Sequence, residues 1–191
     1  VDACVDAFGG LDVLVNNAGL IEPIGDLAET DPAAWGRTVD VNLKGVYHGL
    51  RYGIPAMLAG GGGVVVNISS GAATFTLDGW SAYCATKAAV LMLTRCTQAE
   101  YGDRGIRVVG LSPGTVATDM QATIKESGVN PVSQLDWSVH IPPEWAGKAV
   151  AWLSTEAAAD RTIELIQAMR RTGKSGVALS QTIAGRALPE G

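Results

Sequence analysis

The sequence predicts an α/β protein built on a doubly wound parallel sheet, and three observations lead there. The runs Leu11–Val15, Val64–Ile68 and Ile106–Leu111 are short, rich in β-branched residues and mostly apolar, with one polar residue in each and no alternation, the pattern of buried parallel strands. The stretches between them carry a helical period. Finally, 47% of the 191 residues are hydrophobic and only 17% charged, with 24 glycines, a composition suited to a sheet covered by helices. The length fits a single domain over residues 1–191.

Taken in order, Val1–Gly9 reads as the end of an amphipathic helix that leads through Gly10 into the first strand. No glycine-rich loop of the kind that holds a pyrophosphate precedes Asn16. The expectation is a fold that is incomplete at its N-terminus, lacking two or three strand-helix units of about 30 residues each. Asn16-Asn17-Ala18-Gly19 ends the first strand, where open parallel sheets collect ligands. Thr30 or Asp31 followed by Pro32 marks a helix start. Asp40–Leu58 is predicted to be a long apolar helix that Pro55 ends or kinks. Within it, His48 is expected to be packed, and Lys44 and Arg51 to face solvent. Gly60–Gly63 precedes a strand instead of following one, so it is read as a flexible turn and not as a phosphate loop.

Ser70 stands at the carboxyl end of the strand Val64–Ile68. From Ser81 a helix is predicted with Ala82, Ala85, Ala89, Met92, Leu93 and Cys96 as its apolar stripe. Beyond the strand Ile106–Leu111, Pro113-Gly114 stops the chain sharply and Thr115–Thr118 leave the sheet. Residues 121–142 show no clean period and carry Gly128, Pro131, Trp137, His140 and Pro142, as expected of a substrate lid. Pro143-Glu144-Trp145 opens a helix through Leu153, a charged helical segment follows over Thr162–Arg171, and Gly176–Ile183 is predicted as a last strand.

Composition excludes several classes. A net charge of −5 and a pI near 5.0 supply no basic stripe for nucleic acid or for an anionic membrane. No apolar run is long enough to span a bilayer, and no basic start precedes an apolar segment. Cys4, Cys84 and Cys96 have neither metal-ligand nor disulfide-framework spacing, which suits a reducing cytosol, and no metal site is expected.

Tyr83 and Lys87, four apart on one helix, share a face. A tyrosine with a pKa near 10 is a poor acid or base at neutral pH unless its phenolate is stabilised. An ammonium one turn away in a dry cleft is predicted to lower that pKa. Ser70 is then available to hold a carbonyl oxygen while Tyr83 moves a proton. A serine-hydrolase reading fails, because Ser70 lacks the Gly-x-Ser-x-Gly setting and neither histidine has an evident partner role.

From about Asp12 to about Asp160 the sequence resembles the short-chain dehydrogenase/reductase family, with its Rossmann-like fold. Five motifs stand in the family's order: Asn16-Asn17-Ala18-Gly19, Val41-Asn42-Leu43-Lys44-Gly45, Asn67-Ile68-Ser69-Ser70, Tyr83-Cys84-Ala85-Thr86-Lys87 and Ser112-Pro113-Gly114-Thr115-Val116-Ala117-Thr118. The family's spacing of thirteen residues before the tyrosine selects Ser70 over Ser69. The resemblance implies an oxidoreductase that interconverts an alcohol and a ketone or aldehyde by hydride transfer with NAD or NADP. Ser70, Tyr83, Lys87 and Asn42 would form its catalytic set, with the backbone around Asn42 holding a water that links the lysine to solvent. Asn17, Ala18, Gly19, Tyr83, Lys87, Pro113, Gly114, Val116 and Thr118 would contact the cofactor. A cytoplasmic dimer or tetramer acting on a small-molecule alcohol or carbonyl is implied. Residues 161–191 depart from the family's ending, which puts those subunit contacts in doubt. The competing reading is an inactive or partner-binding fragment without the pyrophosphate loop. The residue that would choose NAD over NADP falls in the segment expected to be missing.

Overall fold

The structure is a computed structural model that describes residues 1–158; the predicted helix Thr162–Arg171 and strand Gly176–Ile183 lie outside the described residues. The chain falls into two compact units, residues 1–111 and the part from Ser112 onward.

The first unit is built on three parallel strands in the order β1 (Val13–Asn16), β2 (Gly63–Ile68), β3 (Ile106–Leu111). Val13 pairs with Val64 and Val65 with Val108, so the three apolar runs align in register. In the central strand β2, Val64–Asn67 are all buried, which explains why its sequence shows no alternation. β1 does alternate: Leu14 turns to the core, whereas Val13 and Val15 are 37% and 40% exposed.

Helix α1 (Asp2–Phe8) ends on Gly9 in the left-handed conformation, and none of its residues is buried. Helix α2 (Pro32–Val39) starts where the Asp31-Pro32 signal places it, with the Asp31 carboxylate accepting from the amides of Ala33 and Ala34. The predicted long helix begins as a π-helical turn, Asp40–Lys44, closed by the Gly45 amide on the Asp40 carbonyl. It continues as α3 (Gly45–Ala59), and Pro55 lies inside it without ending it. Ile54 and Met57, buried on either side of the proline, hold that turn against the sheet, so packing offsets the hydrogen bond that proline cannot make. Val46, Leu50, Ile54 and Met57 of α3 form one apolar core with Val65, Ile106 and Val108 of the sheet and with Val90 of α4 (Ser81–Tyr101).

The glycine run forms a turn, as expected, and two of its residues are closely packed. Gly61 and Gly62 have φ of +96° and +140°, and a Cβ on Gly62 would stand 2.6 Å from the carbonyl oxygen of Gly105. The turn needs residues without side chains to reach β2 at all.

Helix α4 departs from its predicted stripe. Ala82 is buried, but Ala85, Met92 and Cys96 are exposed, and the covered face is Ala82, Tyr83, Thr86, Lys87, Val90, Thr94 and Thr97. Polar residues can occupy that face because they are hydrogen-bonded: Thr94 donates to the Val90 carbonyl and Thr97 to that of Leu93, each at 2.8 Å.

In the second unit, Gly114 turns with φ +84° and Val116 bridges to Ile141. Helix α5 (Asp119–Ser127) runs into the stretch 121–142 expected to be irregular, with an acidic first turn and Gly128 as a left-handed C-cap. Its composition of Gln, Thr, Lys and Glu with one buried residue, Ile124, hides the period. Short turns over Pro131–Gln134 and Trp137–Val139 follow, and α6 (Pro143–Leu153) spans its predicted range.

Candidate active site

The carboxyl end of β2 delivers Ser70 to the first turn of α4. Ser70 is in extended conformation and caps the short helical turn Gly71–Ala73, its hydroxyl accepting from the Ala72 amide at 3.2 Å. The same hydroxyl faces the phenol of Tyr83 closely enough to lower its pKa. Tyr83 is the third residue of α4 and only 8% exposed. The Trp80 indole meets its ring edge-on, at 5.7 Å between centroids and 81°.

One turn further, Lys87 is 5% exposed; its Nζ donates to the Ile68 carbonyl at 2.7 Å and lies 5.6 Å from the centre of the Tyr83 ring. Burial disfavours the charged form and lowers the lysine pKa from 10.5 to about 8. Tyr83 differs from the sequence expectation, because its pKa is raised. Burial of the phenol is the largest cause, the Ser70 hydrogen bond lowers it and the neighbouring Cys84 adds to the rise. Stripping water from the phenolate outweighs what the adjacent polar groups return.

Asn42, in the π-turn, is fully buried. Its Oδ1 accepts from the Leu20 amide at 2.7 Å, and its Nδ2 donates to the Leu20 carbonyl at 2.8 Å and to Thr86 Oγ1 at 3.2 Å. Thr86 in turn donates to the carbonyl of Tyr83 at 2.9 Å. Gly19 sits against this group, since a Cβ built on it would lie 3.6 Å from Asn42 Oδ1 and 3.8 Å from Lys87 Nζ. Asn17 and Ala18 are exposed at the end of β1. Asn16, their neighbour, points into the sheet: its Nδ2 donates to Asn67 Oδ1 at 2.8 Å, and Asn67 Nδ2 donates to Thr94 Oγ1 at 2.9 Å.

The first unit thus brings Ser70, Tyr83, Lys87, Asn42 and Gly19 together. Pro113, Gly114, Val116 and Thr118 belong to the second unit, where Thr118 precedes α5 and donates from its hydroxyl to the Val116 carbonyl at 3.3 Å. His48, expected to be packed, is exposed and stacked on Tyr52 at 6.3 Å, because it falls on the face of α3 opposite Val46 and Leu50. Thr86 and the Asn16–Asn67–Thr94 chain are missed by the sequence reading. The available signal is polar residues at i, i+3 spacing from Tyr83 and opposite one another on aligned strands. Among the described residues no group of three His, Cys, Asp or Glu could hold a metal ion, and no helix is long and apolar enough to cross a membrane.

Comparison with known proteins identifies the family and the fold. The chain is 34% identical over 161 residues to a cyclohexanol dehydrogenase of Acinetobacter sp. (strain SE19), covering 83% of this chain and 62% of that protein. The crystal structure of carveol dehydrogenase from Mycobacterium avium in complex with NAD superposes with a TM-score of 0.71 at 27% identity, over 82% of this chain and 63% of that one. ElxO with NADP bound superposes with a TM-score of 0.70 at 28% identity, over 81% and 64%. The chain spans 48% to 63% of the length of the curated relatives it matches. Residues 1–128 match the model of the family described as short chain dehydrogenase, more than half of the sequence, and the chain belongs to that family.

Proposed function

We propose that the protein interconverts an alcohol and a ketone or aldehyde, with Ser70, Tyr83, Lys87 and Asn42 as its active site. The observation that carries this reading is the buried Tyr83 with the Lys87 ammonium 5.6 Å from its ring centre and tied to Ile68, beside Ser70 at the carboxyl end of a parallel sheet. The residues present fit a nicotinamide cofactor on one structural ground: Lys87 uses one of its three N–H donors on Ile68, and the bare Gly19 backbone leaves room beside that amine. Within the first unit, Asn17–Gly19, Tyr83 and Lys87 are the candidate holders of NAD or NADP; Pro113, Gly114, Val116 and Thr118 are cofactor-contact candidates by their match to the family's motif. Two of the structural neighbours are described with NAD and with NADP bound, respectively. Such a cofactor, when bound, supplies hydride transfer to or from the substrate carbon.

The chain's own residues handle the proton. In oxidation, the Ser70 hydroxyl donates to the substrate oxygen and holds it, while the Tyr83 phenolate takes the alcohol proton. Lys87 places a positive charge beside the Tyr83 ring and two further donors for the hydroxyls of a ribose. Asn42 holds the loop after β1 and the π-turn in one arrangement beside Lys87. Reduction runs the same steps backwards. Residues 121–142 serve as a substrate lid, with Trp137 exposed on it. Exposed Tyr47 and Tyr52 on α3 and Met92 on α4 support assembly as a dimer or tetramer. Three free cysteines and a net charge of −5 suit a cytoplasmic protein.

The test is Tyr83→Phe in the protein as its native source produces it. A positioned acid or base contributes about 100- to 10,000-fold, so turnover falls by at least 100-fold while cofactor affinity is retained. Unchanged turnover would sink the assignment.

A further inference from the structure

We infer that Thr86 is a positioning residue for this reaction, connecting the loop after β1, through Asn42, to the backbone of Tyr83; the inference rests on the activity proposed above. The hydrogen bonds have only one consistent direction. The Leu20 amide can only donate, so Asn42 must present Oδ1 to it, which turns Nδ2 toward the Leu20 carbonyl and Thr86. Thr86 Oγ1 therefore accepts from Asn42, and its own proton goes to the Tyr83 carbonyl, 2.9 Å away. The amide orientation of Asn42 is set by its neighbours and cannot flip without losing two contacts. Asn42 and Thr86 are 0% and 2% exposed, so water does not replace either partner.

The consequence is a rigid connection between two elements that meet at the site. The π-turn Asp40–Lys44 is a widened segment that could relax in several ways, and Asn42 is its buried side chain. Tyr83 lies in the first turn of α4, where the backbone is least constrained by the helix itself. Thr86, three residues on, ties these two together and thereby sets where the phenol stands relative to Ser70. A valine at this position keeps the shape but leaves one buried Asn42 N–H without an acceptor.

In the native-source protein, Thr86→Val is expected to lower kcat about fivefold, the worth of one hydrogen bond, with the substrate KM changed less than twofold. Thr86→Ser, which restores the hydroxyl, is expected to recover kcat to within twofold of wild type. Combined with Asn42→Ala, Thr86→Val adds no further loss, because both changes cut the same connection. Amide hydrogen exchange gives a readout independent of activity: Thr86→Val speeds exchange in residues 40–45 and 81–87 together. Unchanged kcat in Thr86→Val, effects that multiply in the double variant, or faster exchange confined to 81–87 would each overturn the inference while leaving the proposed activity standing. Failure of that activity shows separately, as a Tyr83→Phe variant equal to wild type, and the exchange experiment then decides the connection alone.

Discussion

The Lys87 ammonium donates to the Ile68 carbonyl at 2.7 Å, so a helix side chain holds the last residue of the central strand. The bond is made at the cost of burying a charge. A lysine pKa lowered from 10.5 to about 8 corresponds to about 3 kcal/mol of destabilisation below pH 8, since the unfolded chain keeps its proton more readily. As pH rises from 8 toward 10.5 the folded lysine is already neutral and the penalty fades. Lys87→Met is therefore expected to raise the unfolding temperature at pH 7 by a few degrees, and the gap to wild type narrows by pH 9.5. Calorimetry at the two pH values checks it; a gap that widens would refute the sign.

Ser70 acts on Tyr83 in the opposite sense to burial. Its hydrogen bond lowers the phenol pKa, so Ser70→Ala leaves the raising effects of burial and Cys84 unopposed. The rising limb of the oxidation rate then moves to higher pH, in addition to the loss of substrate orientation. A pH–rate profile on wild type and variant measures this, and an unmoved limb in a folded variant contradicts the coupling.

Asn67 is the central member of the polar chain that crosses the sheet. Replacing it with leucine leaves the half-buried Asn16 amide without its acceptor and puts an apolar group beside Thr94. The expected loss is about 2–3 kcal/mol, read as a lower urea midpoint at constant slope. Thr94→Val should lose about 1 kcal/mol, because it ends the chain instead of cutting its middle.

Gly49 sets two effects against each other. Alanine is the better helix former by about 1 kcal/mol, yet a Cβ at Gly49 would collide with the Asn16 side-chain amide. Overpacking typically costs 1–3 kcal/mol, and here it also displaces a hydrogen-bonded group, so Gly49→Ala is expected to lower the unfolding temperature. A stabilised variant would show that α3 has room to move off β1.

What was legible in the sequence follows from which signals are local. Strands β2 and β3 announce themselves because their mostly buried, β-branched runs do not alternate, with Asn67 and Arg107 the one polar residue in each. Ser70, Tyr83 and Lys87 are recoverable because a strand end and a four-residue spacing on a helix are properties of neighbouring residues. The covered face of α4 was not recoverable by hydrophobicity, since Thr86, Thr94 and Thr97 are buried only where carbonyls and amides wait for them. Nor does Asn42 signal its π-turn: its partner Leu20 is twenty-two residues away in the chain. The raised pKa of Tyr83 is likewise a property of the packed state and not of the Tyr-to-Lys spacing.

The turn at Gly61–Gly63 has a practical side. By composition it looks like the natural place to splice in an epitope tag, a fluorescent label or a cleavage site. Its backbone, however, runs between the carbonyls of Gly105 and Asp12 with no room for a methyl group on Gly62 or Gly63. An engineer seeking an insertion point should treat Gly62 and Gly63 as closely packed positions and choose the exposed segment around Leu27 and Glu29 instead.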